Sequence, residues 1–465
     1  MTKVIFKILS CCFCFILFFF LSPMTFAFPS EELQKLWDIP THEVKYQIVR
    51  KYQKANIKVE EVYYYSRPFL RNPVKIFGYF CYPISPKKLP AILLSHGGGG
   101  TASLPRALHW AQRGYAVLAI DLPGKGENRW TSRSTGPDMI VANLLRTQPD
   151  LSYNYLVHAV AAARNGITFL TQRKEVDANR IGMIGLSWGG VITLLTNGQD
   201  KRLKAAVNVF GAGFIPEGCT WNDLFVAKPA HDKELWNNYL DPKNFLASQH
   251  APILFITGTN DHCYYLPTFQ KSYLEVKVDK NIWLIPNLRH RFLASAQNPA
   301  LAWLNQKLKY GGTFPKINFS LPVLRENKVI LPVKAIVHSQ VKNVRLYYTS
   351  GSPQQWTKRV WKELKPYYNP SDQIFYFAFP SSLISPEILF YINVEDNHGG
   401  VSSSLVRSLF AVKLKNGDKT YGLTSPIRKN FRHEKPVTLL DGTIIKDNYF
   451  IFSAKDNAYQ ILSSP

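Results

Sequence analysis

The sequence predicts an α/β protein in which a mostly parallel sheet is covered by helices on both faces and is followed by a small all-β sandwich. Three observations carry this expectation. Between residues 91 and 285, short continuous apolar runs alternate with segments of helical spacing, as strands buried on both faces and joined by crossover helices do. Beyond Gly311-Gly312 the apolar period drops to two for roughly 100 residues with no helical pattern between the runs. The composition, 46% apolar and 14% aromatic over 465 residues, is that of a chain with a sizeable core rather than a disordered one.

Taken in order, residues 1–27 carry Lys3 and Lys7, an apolar run over 8–21, and then Ser22-Pro23-Met24-Thr25-Phe26-Ala27. Thr25 and Ala27 occupy the −3 and −1 places of a cut before Phe28, so the segment reads as a secretory signal peptide. An uncleaved anchor is the alternative, although the run is short for a spanning helix of about 20 residues. The expected location is therefore periplasmic or extracellular. Alternating residues over 57–65 and 74–82, separated by Arg67-Pro68 and Asn72-Pro73, predict two antiparallel strands. A buried strand over 91–95 ends in His96 and four glycines. Helical spacing through Leu104, Leu108 and Ala111 then stops at Gly114, and 115–120 forms the next strand. A long helix over 151–170 and strands at 180–185, 205–210, 252–256 and 282–285 complete the α/β part. Strand-like runs follow at 317–321, 329–337, 344–348, 373–379, 388–394 and 409–414, and a hairpin over 437–445 turns on Asp441-Gly442. The expected organisation is a first domain over 28–313, an immunoglobulin- or fibronectin-like sandwich over 314–415, and a β extension over 416–465.

The 56 Lys and Arg against 32 Asp and Glu give a formal charge of +24, which favours electrostatic association with anionic envelope surfaces or acidic glycans. The basic residues are scattered from Lys45 to Arg432 and no nucleic-acid motif accompanies them, so no nucleic-acid partner is expected. Cys11, Cys12 and Cys14 lie in the leader, leaving Cys81, Cys219 and Cys263, enough for one disulfide at most. Their spacing offers no zinc site, and neither a metal nor a cofactor is expected.

The chemistry concentrates at Gly185-Leu186-Ser187-Trp188-Gly189-Gly190, directly after a strand and directly before the helical run 191–195. This is the setting of a nucleophile elbow, a turn so tight that the residues two before and two after the serine must be small. A serine hydroxyl is a weak nucleophile and needs a base, itself oriented by a carboxylate. Asp261, in Thr257-Gly258-Thr259-Asn260-Asp261 after one buried strand, and His290, in Pro286-Asn287-Leu288-Arg289-His290 after the last, follow in the order serine, acid, histidine. The plainer readings are a glycine-rich turn, a helix-capping aspartate and a surface histidine. His262, next to Asp261 in sequence, should point away from it along an extended loop, and His96, His109 and His158 read as structural. The oxyanion donors are expected to be the backbone N–H groups of Trp188 and of Gly98, since glycines in the 96–100 loop let backbone approach a substrate closely. A phosphate cradle does not fit, because neither G-x-G-x-x-G spacing nor a Lys-Ser/Thr ending is present.

With these residues in hand, the chain resembles the α/β-hydrolase superfamily, within it the dienelactone-hydrolase-like, acetyl-xylan-esterase-like and prolyl-oligopeptidase catalytic branches. The run Glu175-Val176-Asp177-Ala178-Asn179-Arg180-Ile181-Gly182-Met183-Ile184 leading into the elbow, and Asp121-Leu122-Pro123-Gly124-Lys125-Gly126, carry the likeness, which covers residues 57–310. Arg291 stands where glycine is commoner in those families, and no β-propeller precedes the catalytic domain. The resemblance implies an α/β-hydrolase fold with a mostly parallel eight-stranded sheet. It also implies a serine hydrolase that cleaves a small-molecule or glycan-linked carboxylic ester through an acyl-enzyme on Ser187. A serine peptidase would use the same machinery, but the missing gating domain favours the ester. The reading from a different class is a binding or adhesion protein on a hydrolase scaffold, which would ordinarily lack a member of the triad. In the resembled fold, Cys219 and Cys263 lie beyond the ends of neighbouring strands, so a disulfide between them is expected, with three free thiols as the alternative. The sandwich's role stays open at this point: Trp356, Trp361, Tyr367 and Tyr368 suit a strand core better than sugar stacking.

Overall fold

The computed structural model describes residues 35–40, 43–125, 132–291, 293–350, 353–384, 387–413 and 419–424, with strand segments at 436–438, 444–446, 449–452 and 459–460. The chain divides into two compact units, Met1–Asp38 and Ile39–Pro465. In the first, residues 35–38 are described. The leader read at 1–27 lies outside the described residues, as does the Asp441-Gly442 turn. No helix among the described residues is long and apolar enough to cross a membrane.

The α/β part of the second unit runs β1 (Tyr46–Lys54), β2 (Ile57–Phe69), β3 (Asn72–Pro83), β4 (Leu89–Ser95), α1 (Leu104–Ala111), β5 (Ala116–Ile120), α2 (Tyr155–Gln172), β6 (Val176–Leu186), α3 (Trp188–Asn197), β7 (Leu203–Val209), β8 (Ile253–Gly258), α4 (Leu266–Glu275), β9 (Lys280–Ile285) and α5 (Gln297–Asn305). The strands form one nine-stranded sheet in the order β1-β2-β3-β5-β4-β6-β7-β8-β9. Pairing is antiparallel from β1 to β5 and parallel from β5 to β9. The sheet has one strand more than the eight expected. The additional strand is β1, whose sequence YQIVRKYQK is mostly exposed at the sheet edge and has no apolar alternation to reveal it. By contrast, every residue of β5 and β8 is buried, which is why their runs are continuously apolar. Helix α2 is capped by Asn154, whose side chain accepts from Leu156 N–H. It is buried along nearly its whole length, because a row of alanines lets it lie close against the sheet. Tyr64 on β2 donates to the Ala162 carbonyl at 2.7 Å.

The strands that follow, up to residue 424, are β10 (Lys316–Phe319), β11 (Val323–Arg325), β12 (Lys328–Ile336), β13 (Val341–Thr349), β14 (Lys362–Leu364), β15 (Tyr367–Asn369), β16 (Ile374–Pro380), β17 (Glu387–Asp396), β18 (Val401–Ser403), β19 (Arg407–Lys413) and β20 (Lys419–Thr424). They form two antiparallel sheets. One runs β10-β12-β16-β15 with β11 on β12; the other runs β14-β13-β17-β19-β20, continues through the strands Tyr449–Phe452 and Tyr459–Gln460, and has β18 on β17. Alternate residues of both sheets meet in one core: Val329, Leu331, Val333, Phe377 and Phe379 from the first, Val344, Leu346, Phe390, Ile392 and Leu409 from the second. Because β20 pairs with β19, the stretch read as a C-terminal extension begins as a further strand of this sheet. Val437 pairs with Ile445 as the predicted hairpin requires. Trp356 and Trp361 are buried, whereas Tyr367 and Tyr368 are exposed.

This β region closes the open edge of the large sheet. Leu284 of β9 donates its N–H to Ser403 Oγ at 2.8 Å, and its carbonyl accepts from Asn393 Nδ2 at 3.1 Å. Asn281 donates to the Val401 carbonyl at 2.7 Å. Side-chain and backbone partners from β17 and β18 thus satisfy backbone groups that an edge strand would otherwise present to solvent.

Candidate active site

Ser187 sits between β6 and α3 with φ 57° and ψ −120°, a left-handed conformation that costs energy for a residue with a side chain. The turn admits it because its flanks carry nothing. A Cβ on Gly185 would lie 1.9 Å from the Gly189 carbonyl oxygen. The Ser187 N–H is held by the Val209 carbonyl at 2.8 Å.

The loops after β8 and β9 bring the other two predicted residues to it. His290 Nε2 lies 2.8 Å from Ser187 Oγ, and its Nδ1 lies 2.9 and 3.0 Å from the two oxygens of Asp261. The Asp261 carboxylate is fully buried and also accepts the Cys263 and Tyr264 N–H groups at 2.7 and 3.1 Å. A carboxylate at Nδ1 fixes the ring with its proton there, leaving Nε2 free to accept from the serine hydroxyl. Burial alone would lower the basicity of the ring. The Asp261 carboxylate and the Cys263 sulfur beside it outweigh that and push the His290 pKa above its ordinary value. Phe210 packs on the ring with centroids 4.7 Å apart. His262 instead accepts the His290 backbone N–H on its Nδ1 at 3.4 Å.

The glycine loop lies against the elbow. A Cβ on Gly97 would fall 2.8 Å from Leu186 O and 2.9 Å from Ser187 Cβ, and one on Gly98 would meet the Trp188 ring at 3.4 Å. As the first residue of α3, Trp188 has an N–H with no intrahelical acceptor. His96 sets the loop's position: its Nδ1–H donates to Gly97 O at 2.8 Å and its Nε2 accepts the Leu122 N–H at 2.9 Å. Sequence reading gave His96 only a general structural part, although a histidine ending a strand ahead of four glycines was its signal. Trp188, Trp221 and Tyr264 form an aromatic cluster beside the elbow, with centroids 4.9–6.0 Å apart. Trp221, directly before the short helix Asn222–Val226 in the segment between β7 and β8, had no sequence signal of its own. His158 Nε2–H donates to Ser152 O at 2.9 Å.

The expected Cys219–Cys263 disulfide is not formed: both residues, like Cys81, are free thiols. Their backbones are close, with Thr220 N–H on the Cys263 carbonyl at 3.0 Å, but the sulfurs have different surroundings. Cys219 is buried and its sulfur accepts the Trp221 N–H at 3.3 Å. The Cys263 sulfur turns toward the acid and base, within 4.8 Å of a ligand atom of each. Asp261, Cys263 and His290 could by that spacing hold a soft metal ion, yet the Nδ1 that would bind it is already engaged by Asp261, so the two uses compete.

A family model described as acetyl xylan esterase (AXE1) matches residues 26–214. The acetyl xylan esterase 1 of Thermoanaerobacterium sp. superposes with a TM-score of 0.50 at 18% identity, covering 59% of this chain and 93% of that one. The chain has the α/β-hydrolase fold. Among curated relatives of the chain, the acetyl esterase Axe7A of Xylanibacter ruminicola is 23% identical over 252 residues, which are 50% of this chain and 56% of that protein. The quorum-quenching protein AidA of Acinetobacter baumannii is 29% identical over 144 residues, 30% of this chain and 41% of that protein. The chain spans about half the length of the curated relatives it matches.

Proposed function

We propose that this protein is a hydrolase that cleaves carboxylic esters through an acyl-enzyme on Ser187, and that it does so outside the cytoplasm after removal of residues 1–27. The observation that carries the reading is one imidazole within hydrogen-bond distance of a serine hydroxyl on one side and a buried carboxylate on the other. Ser187 Oγ attacks the ester carbonyl as its proton passes to His290 Nε2. The Trp188 and Gly98 N–H groups hold the oxyanion. Collapse of the tetrahedral intermediate expels the alcohol, which takes the proton from His290. A water then gives a proton to His290 and attacks the acyl carbon, and return of the proton to Ser187 releases the acid. Asp261 holds the ring and balances the charge of the imidazolium.

The names of two of these relatives point to acetyl groups, and one of the two to xylan, so the substrate we assign is an acetyl ester carried by a carbohydrate. The half-buried Trp221 beside Trp188 supports this, since an aromatic face suits the flat apolar side of a sugar ring. The charge of +24 would keep the protein near acidic glycans and envelope surfaces.

The test compares 4-nitrophenyl acetate, longer acyl esters, acetylated xylo-oligosaccharides and an aminoacyl anilide. The expected result is hydrolysis of the acetyl esters, little of the octanoyl ester and none of the anilide. Ser187→Ala should lose about 10³-fold or more in kcat. A Ser187→Ala protein with near wild-type turnover, or anilide cleavage exceeding ester cleavage, overturns the reading. Sequencing the amino terminus of exported protein tests the cut before Phe28.

A further inference from the structure

We propose that the 356–361 segment of the C-terminal β region is a positioning element of the active site, acting through Asn260 and Asn287. The proposal deepens the serine-hydrolase reading above and rests on it. Asn260 immediately precedes Asp261, and its side chain runs into the β region, where Nδ2 donates to Arg359 O at 2.6 Å and to Thr357 O at 3.3 Å. Its Oδ1 accepts the Thr259 hydroxyl at 2.8 Å, and the Thr259 oxygen in turn accepts the Asn287 N–H at 2.8 Å. Asn287, three residues before His290, pairs with Trp361 in both directions: Nδ2 to the carbonyl at 2.9 Å, and Oδ1 from the N–H at 2.8 Å. A backbone bond from Asn260 N–H to Leu288 O at 3.0 Å completes a closed ring that ties the acid-bearing loop, the base-bearing loop and the 356–361 segment together.

Several features separate this ring from an ordinary interface. Both amides flank members of the triad, and both engage backbone of the same short segment. Asn287 has φ +57°, a conformation in which asparagine is among the better tolerated side chains, so the residue serves the turn and the clamp at once. The segment itself is firmly seated. Trp356, Arg359 and Trp361 are buried, the Arg359 guanidinium lies 4.8 Å from the Trp356 ring centroid, and Trp361 packs edge-on against Tyr391 of β17 at 5.1 Å. Each of the asparagine hydrogen bonds to the segment reaches the β region from a neighbour of the triad rather than from Ser187, Asp261 or His290. Their effect is to fix the separation and angle of Asp261 and His290, on which the aim of Nε2 at Ser187 depends, and small misplacements of such groups cost rate steeply.

The experiment uses the full chain with Asn260→Ala, which removes both donations to the segment, and Asn287→Asp, which keeps acceptance from Trp361 N–H and loses the donation. Ser403→Ala, on the same seam but against β9, is the control, and thermal unfolding shows that each protein is folded at the assay temperature. Both asparagine variants should lower kcat on 4-nitrophenyl acetate about tenfold or more with KM within about twofold. Asn260→Ala, which brings no charge, should also move the acid limb of the kcat/KM profile to lower pH as the Asp261–His290 contact loosens, while Ser403→Ala keeps wild-type kcat and limb. Folded asparagine variants with wild-type kcat and limb, a change confined to KM, or an equal kcat loss in Ser403→Ala would overturn the proposal. Ser187→Ala in the same series separates the two claims. If it is inactive while the asparagine variants are unchanged, the positioning role alone falls; if it is active, the reading beneath it falls as well.

Discussion

His290 is the residue through which every proton in the proposed reaction passes, and it must be neutral at Nε2 to accept the serine proton. Asp261 and Cys263 hold its pKa above the ordinary 6.5 of a histidine, so activity should rise with pH through a limb lying above that value. In Asp261→Asn the imidazolium loses its carboxylate. The limb should then move to lower pH while kcat falls about 10³–10⁴-fold, as wrong-tautomer variants of such triads do. A profile with its optimum near pH 4, or a limb that Asp261→Asn leaves in place, would contradict the assignment. Cys263 gives a second prediction at this scale. Its half-buried sulfur borders the acid and base, whereas Cys81 and Cys219 are buried and burial pushes their thiols up to about 12. Iodoacetamide on the native protein should therefore modify Cys263 first and inhibit hydrolysis, and Cys263→Ser should resist. Peptide mapping that finds Cys263 unmodified in inhibited protein would refute this. Ser187, Asp261 and His290 were legible as one candidate site because strand ends and chain order single them out. The Cys263 sulfur was not, since which way a side chain turns from a loop leaves no trace in residue spacing.

The elbow and the glycine loop work as a pair of elements. Gly97 is the point of closest approach, and an added Cβ there must push either Leu186 O or Ser187 itself away. Gly97→Ala should therefore cost about 10²–10³-fold in kcat, the scale of losing an oxyanion donor, with a smaller effect on the melting temperature. Wild-type kcat in Gly97→Ala would show that the loop's approach to the serine does not matter. At this scale the sequence was most informative where burial was complete. β4 to β9 read as strands because both faces are covered, and the all-β region because its period is two. The edge strand β1 escaped because exposure on most of its residues removes the pattern that burial imposes. The 151–170 helix was found, although its first turn is a separate 3-10 segment, Leu151–Tyr153, ahead of the Asn154 cap.

Across the whole molecule, the β region both closes the β9 edge and reaches the loops that carry the acid and base. The edge contact should contribute stability without rate. Ser403→Ala leaves the Leu284 N–H short of its acceptor and should cost about 1–3 kcal/mol in denaturant unfolding. An unchanged unfolding midpoint would mean the contact is replaced by water. The seam was invisible in the sequence because it is built from single hydrogen bonds between positions far apart in the chain, such as Asn260 with Arg359 and Asn281 with Val401. No local periodicity records such pairs, whereas the switch from helical to strand period near residue 312 records the change of architecture directly. The central claim is that Ser187 is acylated during turnover. The measurement that reaches it most directly is mass spectrometry of the wild-type protein after reaction with a fluorophosphonate. One adduct per chain should map to the peptide containing Ser187, protected by prior incubation with the ester substrate and absent from His290→Ala; an adduct on another residue, or none in protein that hydrolyses esters, would contradict the account.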